Sequence, residues 1–349
     1  MRRRRDPRNR ILLLFMAALL AQLTGAARGA DREPKVDAAV NAAIEFLVKQ
    51  QADDGSFRLA SPPRASDTAA ALLALLSAGN VQDVGRHGLV VRRAIDWLIN
   101  IAPDDGNFGR LDSSNIRGQS LAVFALTEAY AVEPDPQVRA KLRVIVTRGA
   151  GVILRAQILP PAKDAPGGWP VTAPTTAPAG PDLIATAWSL LALRGARNIG
   201  IEIPQASVDR GIAFISGCHL QGGGFANAPG EVASFTSSAA GSTVAWLFQM
   251  KDASQILALA APALGASTAE EVRPPFIGAF FAAEAAMNVS EPVWSAGWAA
   301  CRDALLAKQE ADGGWPAADS DVPNARIEST CFAILTLTRP ERLLTTLER

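Results

Sequence analysis

Three cysteines, two histidines and one tyrosine among 349 residues leave this sequence short of the side chains that most often carry chemistry. Cys218, Cys301 and Cys331 are too sparse, and odd in number, for a disulfide framework. They read as small buried hydrophobes, with room for one pair to form. His87 and His219 stand apart, and only His219 adjoins a cysteine, so a catalytic zinc held by three protein ligands has no source of ligands. No metal and no cofactor is expected. Aromatic residues make up only 6%, while hydrophobic residues reach 49%, so alanine and leucine must fill the core, which suits closely spaced helices.

The formal charge of zero hides an asymmetry. Residues 1–30 hold seven Lys/Arg and one Asp, leaving 27 basic and 33 acidic residues from 31 onward, a net of −6. Without a basic tract the remainder has no electrostatic footprint for nucleic acid. The basic start Met1-Arg2-Arg3-Arg4-Arg5, the apolar Ile11 to Leu23 and the small residues from Thr24 to Ala30 form a secretory signal, with cleavage expected between Ala26 and Ala30. The apolar run is short for a membrane span, so contact with a membrane is expected only if this segment stays uncleaved. The chain is therefore read as exported, to the periplasm or beyond the cell, with residues 31–349 as a single domain.

A loop signature recurs along that domain. Asp54-Gly55-Ser56-Phe57, Asp105-Gly106-Asn107-Phe108, Gly167-Gly168-Trp169, Gly222-Gly223-Gly224-Phe225 and Asp312-Gly313-Gly314-Trp315 place aromatics at steps of 51, 61, 56 and 90 residues. A period of that size means stacked supersecondary units. Before each loop runs an amphipathic helical pattern, as in Val36, Val40, Ala43, Ile44 and Leu47; after it comes a nearly all-apolar one, as in Ala69 to Ala78. The 90-residue step conceals a further pair, Ser254 to Leu264 and Phe276 to Met287, whose loop has lost the signature. The pattern predicts about six helical hairpins, outer helix then inner helix, closing into a ring. Pro160 to Pro181 is an enlarged third loop.

Gln50, Gln157 and Gln309 precede their loops, and basic-small pairs (Arg93-Ala94, Arg148-Gly149, Arg210-Gly211) recur upstream. These features resemble the QW repeat of squalene/hopene cyclases and related terpenoid cyclases, and the repeat shared with protein prenyltransferases. The last unit, Gln309 to Trp315 followed by Glu328-Ser329-Thr330-Cys331, matches best. The resemblance covers roughly residues 36–340 and implies an all-α fold, the α/α toroid. It implies structural roles for Gln50, Gln157 and Gln309 and for Phe57, Phe108, Trp169, Phe225 and Trp315: glutamines satisfying free groups at helix ends, aromatics stapling neighbouring hairpins.

The chemistry of those relatives is not recognisable. The Asp-x-Asp-Asp acid of class II cyclases is missing, as are the Asp, Cys and His zinc ligands of prenyltransferases. Asp53-Asp54 and Asp104-Asp105 are turn residues before glycine. What remains is a polar rim at the starts of the inner helices, with Asp67, Gln119, Thr186, Thr236 and Thr330 as candidate ligand contacts. Three carboxylates, Glu284, Asp182 and Glu328, are the candidate catalytic groups, Glu284 foremost because it interrupts the apolar Phe280-Phe281-Ala282-Ala283. The sequence thus points to a toroid without catalytic function that binds an apolar small molecule or a protein partner. Its alternatives are a divergent cyclase or toroidal lyase using cavity carboxylates, and a structural scaffold of the cell envelope.

Overall fold

Two kinds of sequence make two kinds of helix. The computed structural model describes residues 33–59, 62–111, 115–159, 166–171, 180–250, 276–288, 291–318 and 324–348. Helix α1, Pro34–Gln50, opens with proline at its first turn and buries one stripe, Val36, Val40, Ala43, Ile44 and Leu47. Helix α2, Ala65–Ser77, is buried at all thirteen positions. The alternation continues through α3 (Gly88–Ile101), α4 (Asn115–Val132), α5 (Pro136–Ala156), α6 (Leu183–Asn198), α7 (Gln205–Gly217), α8 (Phe235–Leu247), α9 (Phe276–Ala286), α10 (Glu291–Leu306) and α11 (Ala325–Leu337). No strand interrupts them among the described residues, only isolated bridges such as Gln51 with Phe57 and His219 with Phe225.

The apolar helices form the inner ring. Helix α2 packs on α4, α4 on α6, α6 on α8, α8 on α9, α9 on α11, and α11 back on α2. Around them each of α1, α3, α5, α7 and α10 lies mainly against the inner helix that precedes it, so α1 rests on α11 and α3 on α2. The expected α/α toroid is therefore observed, with its closure made by the first and last units. The outer helix expected over 254–264 and the signal segment lie outside the described residues. The apolar period of the sequence points to a helix from Val146 to Gln157; helix α5 starts ten residues earlier, because Asp135 caps it, accepting from Gln137 N at 2.7 Å, and Pro136 occupies its first position.

The loop signature joins neighbouring units through backbone. Gly55, at φ +95°, sits so close to α3 that a Cβ would lie 2.4 Å from the Arg93 carbonyl oxygen. Gly106 meets Arg148 in α5 in the same way, and Gly167 N donates to Arg210 O of α7 at 3.2 Å. The basic-small pairs of the sequence are thus landing sites for the preceding loop. In the closing unit Gly313, at φ +92°, lands on Ala42 of α1, where a Cβ would lie 2.3 Å from the carbonyl oxygen. Gly313→Ala is expected to destabilise the protein by about 1–3 kcal/mol, through strain and displacement of α1. Urea unfolding of the variant against the parent measures it.

Candidate functional site

The glutamines and hydroxyls of the repeat make one clamp. Each loop carries carbonyls that no helix satisfies, and it lies against the first turns of the next outer helix. Gln157 Nε2 donates to Gly167 O at 2.9 Å and to Ser207 O of the next outer helix at 2.8 Å. Gln309 Nε2 does the same with Gly313 O and Ala39 O, both at 2.8 Å. In the first unit the clamp is Gln51, not Gln50: its Nε2 reaches Gly55 O at 3.2 Å and Val90 O at 2.9 Å. The clamp stands six residues before the aromatic in the short loops, and Gln50 is one position out of that register.

The inner helices complete the clamp from the other side. Thr68 Oγ1 accepts from Phe57 N, Thr186 Oγ1 from Trp169 N, Ser238 Oγ from Phe225 N and Thr330 Oγ1 from Trp315 N, all at 2.9–3.0 Å. The indoles of Trp169 and Trp315 then donate to Ile153 O and Leu305 O of their own outer helices, at 2.6 and 2.8 Å. In the second unit, where Ala102 holds the clamp position, Gln119 takes over from the inner ring. It donates to Gly106 O and Gly149 O and accepts from Gly109 N at 3.1 Å. Three candidate ligand contacts, Gln119, Thr186 and Thr330, therefore face their own loops and hold backbone.

The other rim candidates are also engaged. Asp67, almost fully buried, accepts from Asn324 Nδ2 at 2.8 Å. Thr236 lies against Gly278 of α9, where a Cβ would come within 2.7 Å of its Oγ1. Asp182 caps α6, accepting from Ala185 N at 2.7 Å and from the Asn227 amide. Glu328 accepts twice, at 2.8 Å, from Arg117 Nη2, which reaches it from α4.

Between the two mouths the lumen is filled. Trp188 of α6 stacks on Phe280 of α9, with centroids 5.8 Å apart and planes within 5°. It also touches Phe281 at 5.0 Å and Phe332 of α11 at 5.8 Å. Neither α9 nor α11 is a ring neighbour of α6, so these rings meet across the axis. Phe124 of α4 closes the side at 6.4 Å. Rings with centroids 5.0–5.8 Å apart pack directly on one another and occupy the axis at that level. Ten of the 21 aromatics of the sequence make this plug and the loop clamps.

The opposite mouth is sealed by the end of the chain. Glu284 is buried in an ion pair with Arg339 and takes a hydrogen bond from Asn288 Nδ2, while Arg339 Nη1 also holds Glu348 at 2.9 Å. Burial raises the Glu284 carboxyl above its ordinary value, with Arg339 opposing the shift. A second buried carboxylate, Glu128 of α4, accepts from Thr345 N at 2.8 Å and Thr346 N at 2.9 Å. Burial raises it too, against those hydrogen bonds. Arg194 of α6 binds Thr346 O, Glu348 O and Leu247 O. Leu344 and Leu347 are buried underneath. The sequence search missed Glu128 and Arg194, although Glu128 carries the same signal as Glu284, a carboxylate inside an apolar run. All three cysteines are free and buried, with the Cys218 and Cys301 thiols pushed up to about 11 and about 12. Among the described residues no three His, Cys, Asp or Glu side chains converge as metal ligands.

No protein family and no characterised protein matches this sequence. Solved structures do match the fold. The α-1,6-mannanase GH76A from Salegentibacter sp. HEL1_6 aligns with a TM-score of 0.64 at 9% identity, covering 88% of this chain and 99% of its own. The apo type II terpene cyclase MstE from Scytonema aligns at 0.58 and 12% identity, covering 89% and 99%. A glycosidase variant aligns at 0.59 and 12%, covering 89% and 98%. At such identities the likeness extends to the toroid alone.

Three substitutions separate clamps and seals from ligand contacts. Gln119→Ala is expected to cost about 2–4 kcal/mol of stability in urea unfolding, because buried backbone groups lose their partners. Arg339→Met should cost about 3–5 kcal/mol by stranding Glu284, and adding Glu284→Met should restore most of it, as the double-mutant cycle reads out.

Proposed function

We propose that the chain is an exported toroid without catalytic function, which acts by presenting its surface to a partner chain rather than by enclosing a substrate. The observation that carries this reading is the contact of Trp188 with Phe280 and Phe332 across the axis, where a toroidal enzyme would need space for its substrate. The carboxylates support it. Glu284 is neutralised by Arg339, and Glu328 is held by Arg117. The high thiol values argue against a cysteine nucleophile. The apolar-ligand version of binding is disfavoured by the same plug, which occupies the volume such a ligand would take. The apolar residues left outside the lumen favour a protein partner.

A second reading, a divergent cyclase, lyase or glycosidase, draws on the half-exposed Asp182 and Glu328 at the unsealed mouth and on the activities named for the structural neighbours. The test separates the two. The purified protein, incubated with linear isoprenoids and with α-1,6-linked manno-oligosaccharides, is expected to yield no product and to show no saturable quenching of tryptophan fluorescence. Turnover of either substrate overturns the non-catalytic reading. Saturable quenching by an isoprenoid that Trp188→Leu abolishes restores the apolar-ligand version.

A further inference from the structure

Residues 344–348 form a strap across the sealed mouth, and side chains of the ring hold it there. The strap leaves from α11, yet its turn Thr345–Leu347 packs mainly on α6, which stands opposite α11 in the ring, and on α4. Among the described residues the strap bonds to no helix backbone. Its own backbone makes two internal bonds, Leu347 N to Leu344 O and Glu348 N to Thr345 O. Side chains meet the rest. Glu128 of α4 takes Thr345 N and Thr346 N, while Arg194 of α6 gives to Thr346 O at 2.9 Å and to Glu348 O at 2.7 Å. Arg339 and Arg342 hold the Glu348 carboxylate at 2.9 and 3.3 Å. Leu344 and Leu347 are buried, and Thr345 between them is exposed. Gly195 keeps α6 bare at the crossing, where a Cβ would lie 3.0 Å from Thr346 Oγ1.

A segment that merely covered apolar surface would not need these charges. Glu128 is 3% exposed, and no cation pairs with it among the described residues; every hydrogen bond it accepts comes from the strap. A buried carboxylate without a cation is costly unless donors meet it. Glu128 is thus placed for two consecutive backbone N–H groups, and Arg194 for carbonyls two residues apart. Main-chain bonds with pockets for a few side chains are the means by which extended peptides are bound. The strap has the form of a ligand, tethered by the turn Arg339–Glu341 and by Arg342, whose φ of +53° turns the chain away from α11. No helix hydrogen bond depends on it, so its release leaves the ring intact.

We propose that the sealed mouth is a peptide-binding groove shut by its own pseudo-ligand, and that a segment of a different protein with the strap's pattern, two apolar side chains three apart followed by Glu, displaces residues 344–348. The proposal rests on the partner-binding reading above and gives it a site and a ligand class. Nucleic acid and lipid offer no run of alternating N–H and C=O groups. A second copy has the same strap, but that strap fills its own groove at an effective concentration on the order of millimolar, and exchange adds no contact.

A fluorescein-labelled peptide with the sequence of residues 342–349, titrated by anisotropy into three full-length proteins, tests the proposal. They are the parent, a loosened variant with Leu344→Asp and Leu347→Asp, and the loosened variant with Arg194→Met added. The loosened variant is expected to bind at least about tenfold more tightly than the parent, whose strap competes, and Arg194→Met to weaken that binding by about tenfold. The peptide carrying Glu348→Lys should also bind about tenfold more weakly. Equal binding by parent and loosened variant overturns the proposal, as does no binding by a loosened variant whose far-UV circular dichroism matches the parent. Hydrogen exchange on the parent needs no variant: the Thr345 and Thr346 amides are expected to exchange at least about a hundredfold faster than those of α4 and α6, and equal rates overturn the proposal. A parent dimer in sedimentation that the loosened variant does not form overturns the choice of partner and assigns the groove to a second copy. If the peptide fails and no substrate turns over, the groove falls alone; turnover of a substrate removes the reading beneath it.

Discussion

Every hairpin in a ring of helices exposes backbone that the helices cannot satisfy themselves, and the toroid depends on how those groups are matched. Loop carbonyls and the last carbonyls of each outer helix would face the seams between units, where water is excluded and an unpaired group is expensive. One amide side chain holds its own loop to the first turns of the next outer helix, and the indoles of Trp169 and Trp315 take a terminal carbonyl each. A hydroxyl from the inner ring fixes the loop aromatic, and the aromatic fills the seam. That combination sets the spacing between units, and the spacing sets whether a closed ring can form. Where the second unit lacks a glutamine on the outer helix, Gln119 supplies the amide from the inside, bonding the equivalent loop carbonyl of Gly106 and, on the next outer helix, Gly149 O, about one turn further along than in the other units. The constraint is on the bonds, while the chain position that meets them can change.

The same few resources explain why the lumen is closed. Alanine-rich inner helices approach closely and leave a narrow bore, which Trp188, Phe280, Phe281 and Phe332 are large enough to fill. The mouth at the C-terminal ends of the inner helices then receives the buried Glu128, Glu284 and Arg339 and the half-buried Arg194, with Glu284 answered by Arg339 and the others by Thr345, Thr346 and Glu348. The groups that would suggest chemistry to a reader of composition, isolated acids in apolar helices, serve here to fasten the end of the chain.

The fold was legible because period and amphipathicity are local properties, and because glycine at positive φ beside an aromatic survives as a pattern. Helix starts were less so: the beginning of α5 depended on the capping of Asp135 and Pro136, which periodicity does not register. The candidate site was hardly legible. Thr186, Thr330 and Gln119 look like a rim when placed on helix ends, and only the direction of their side chains shows that they bind loops. Gln50 and Gln51 are adjacent and identical, and the partner carbonyls 39 residues away decide between them. Glu284 called for a partner, yet nothing near it in sequence identifies Arg339, 55 residues on. Pairings of that range are set by closure of the ring, and a pattern read within one unit does not contain them.

The bond from Gln309 to Ala39 joins positions 270 residues apart. A growing chain makes α1 some 275 residues before α11, the inner helix on which α1 rests. Until then α1 has a buried stripe and no surface to bury it against. Long-range closure of this kind slows folding and lengthens the time during which apolar surface is uncovered. A toroid stitched through its ends therefore behaves, in time, unlike an open stack of repeats: each early unit must wait for the last before its own burial is complete.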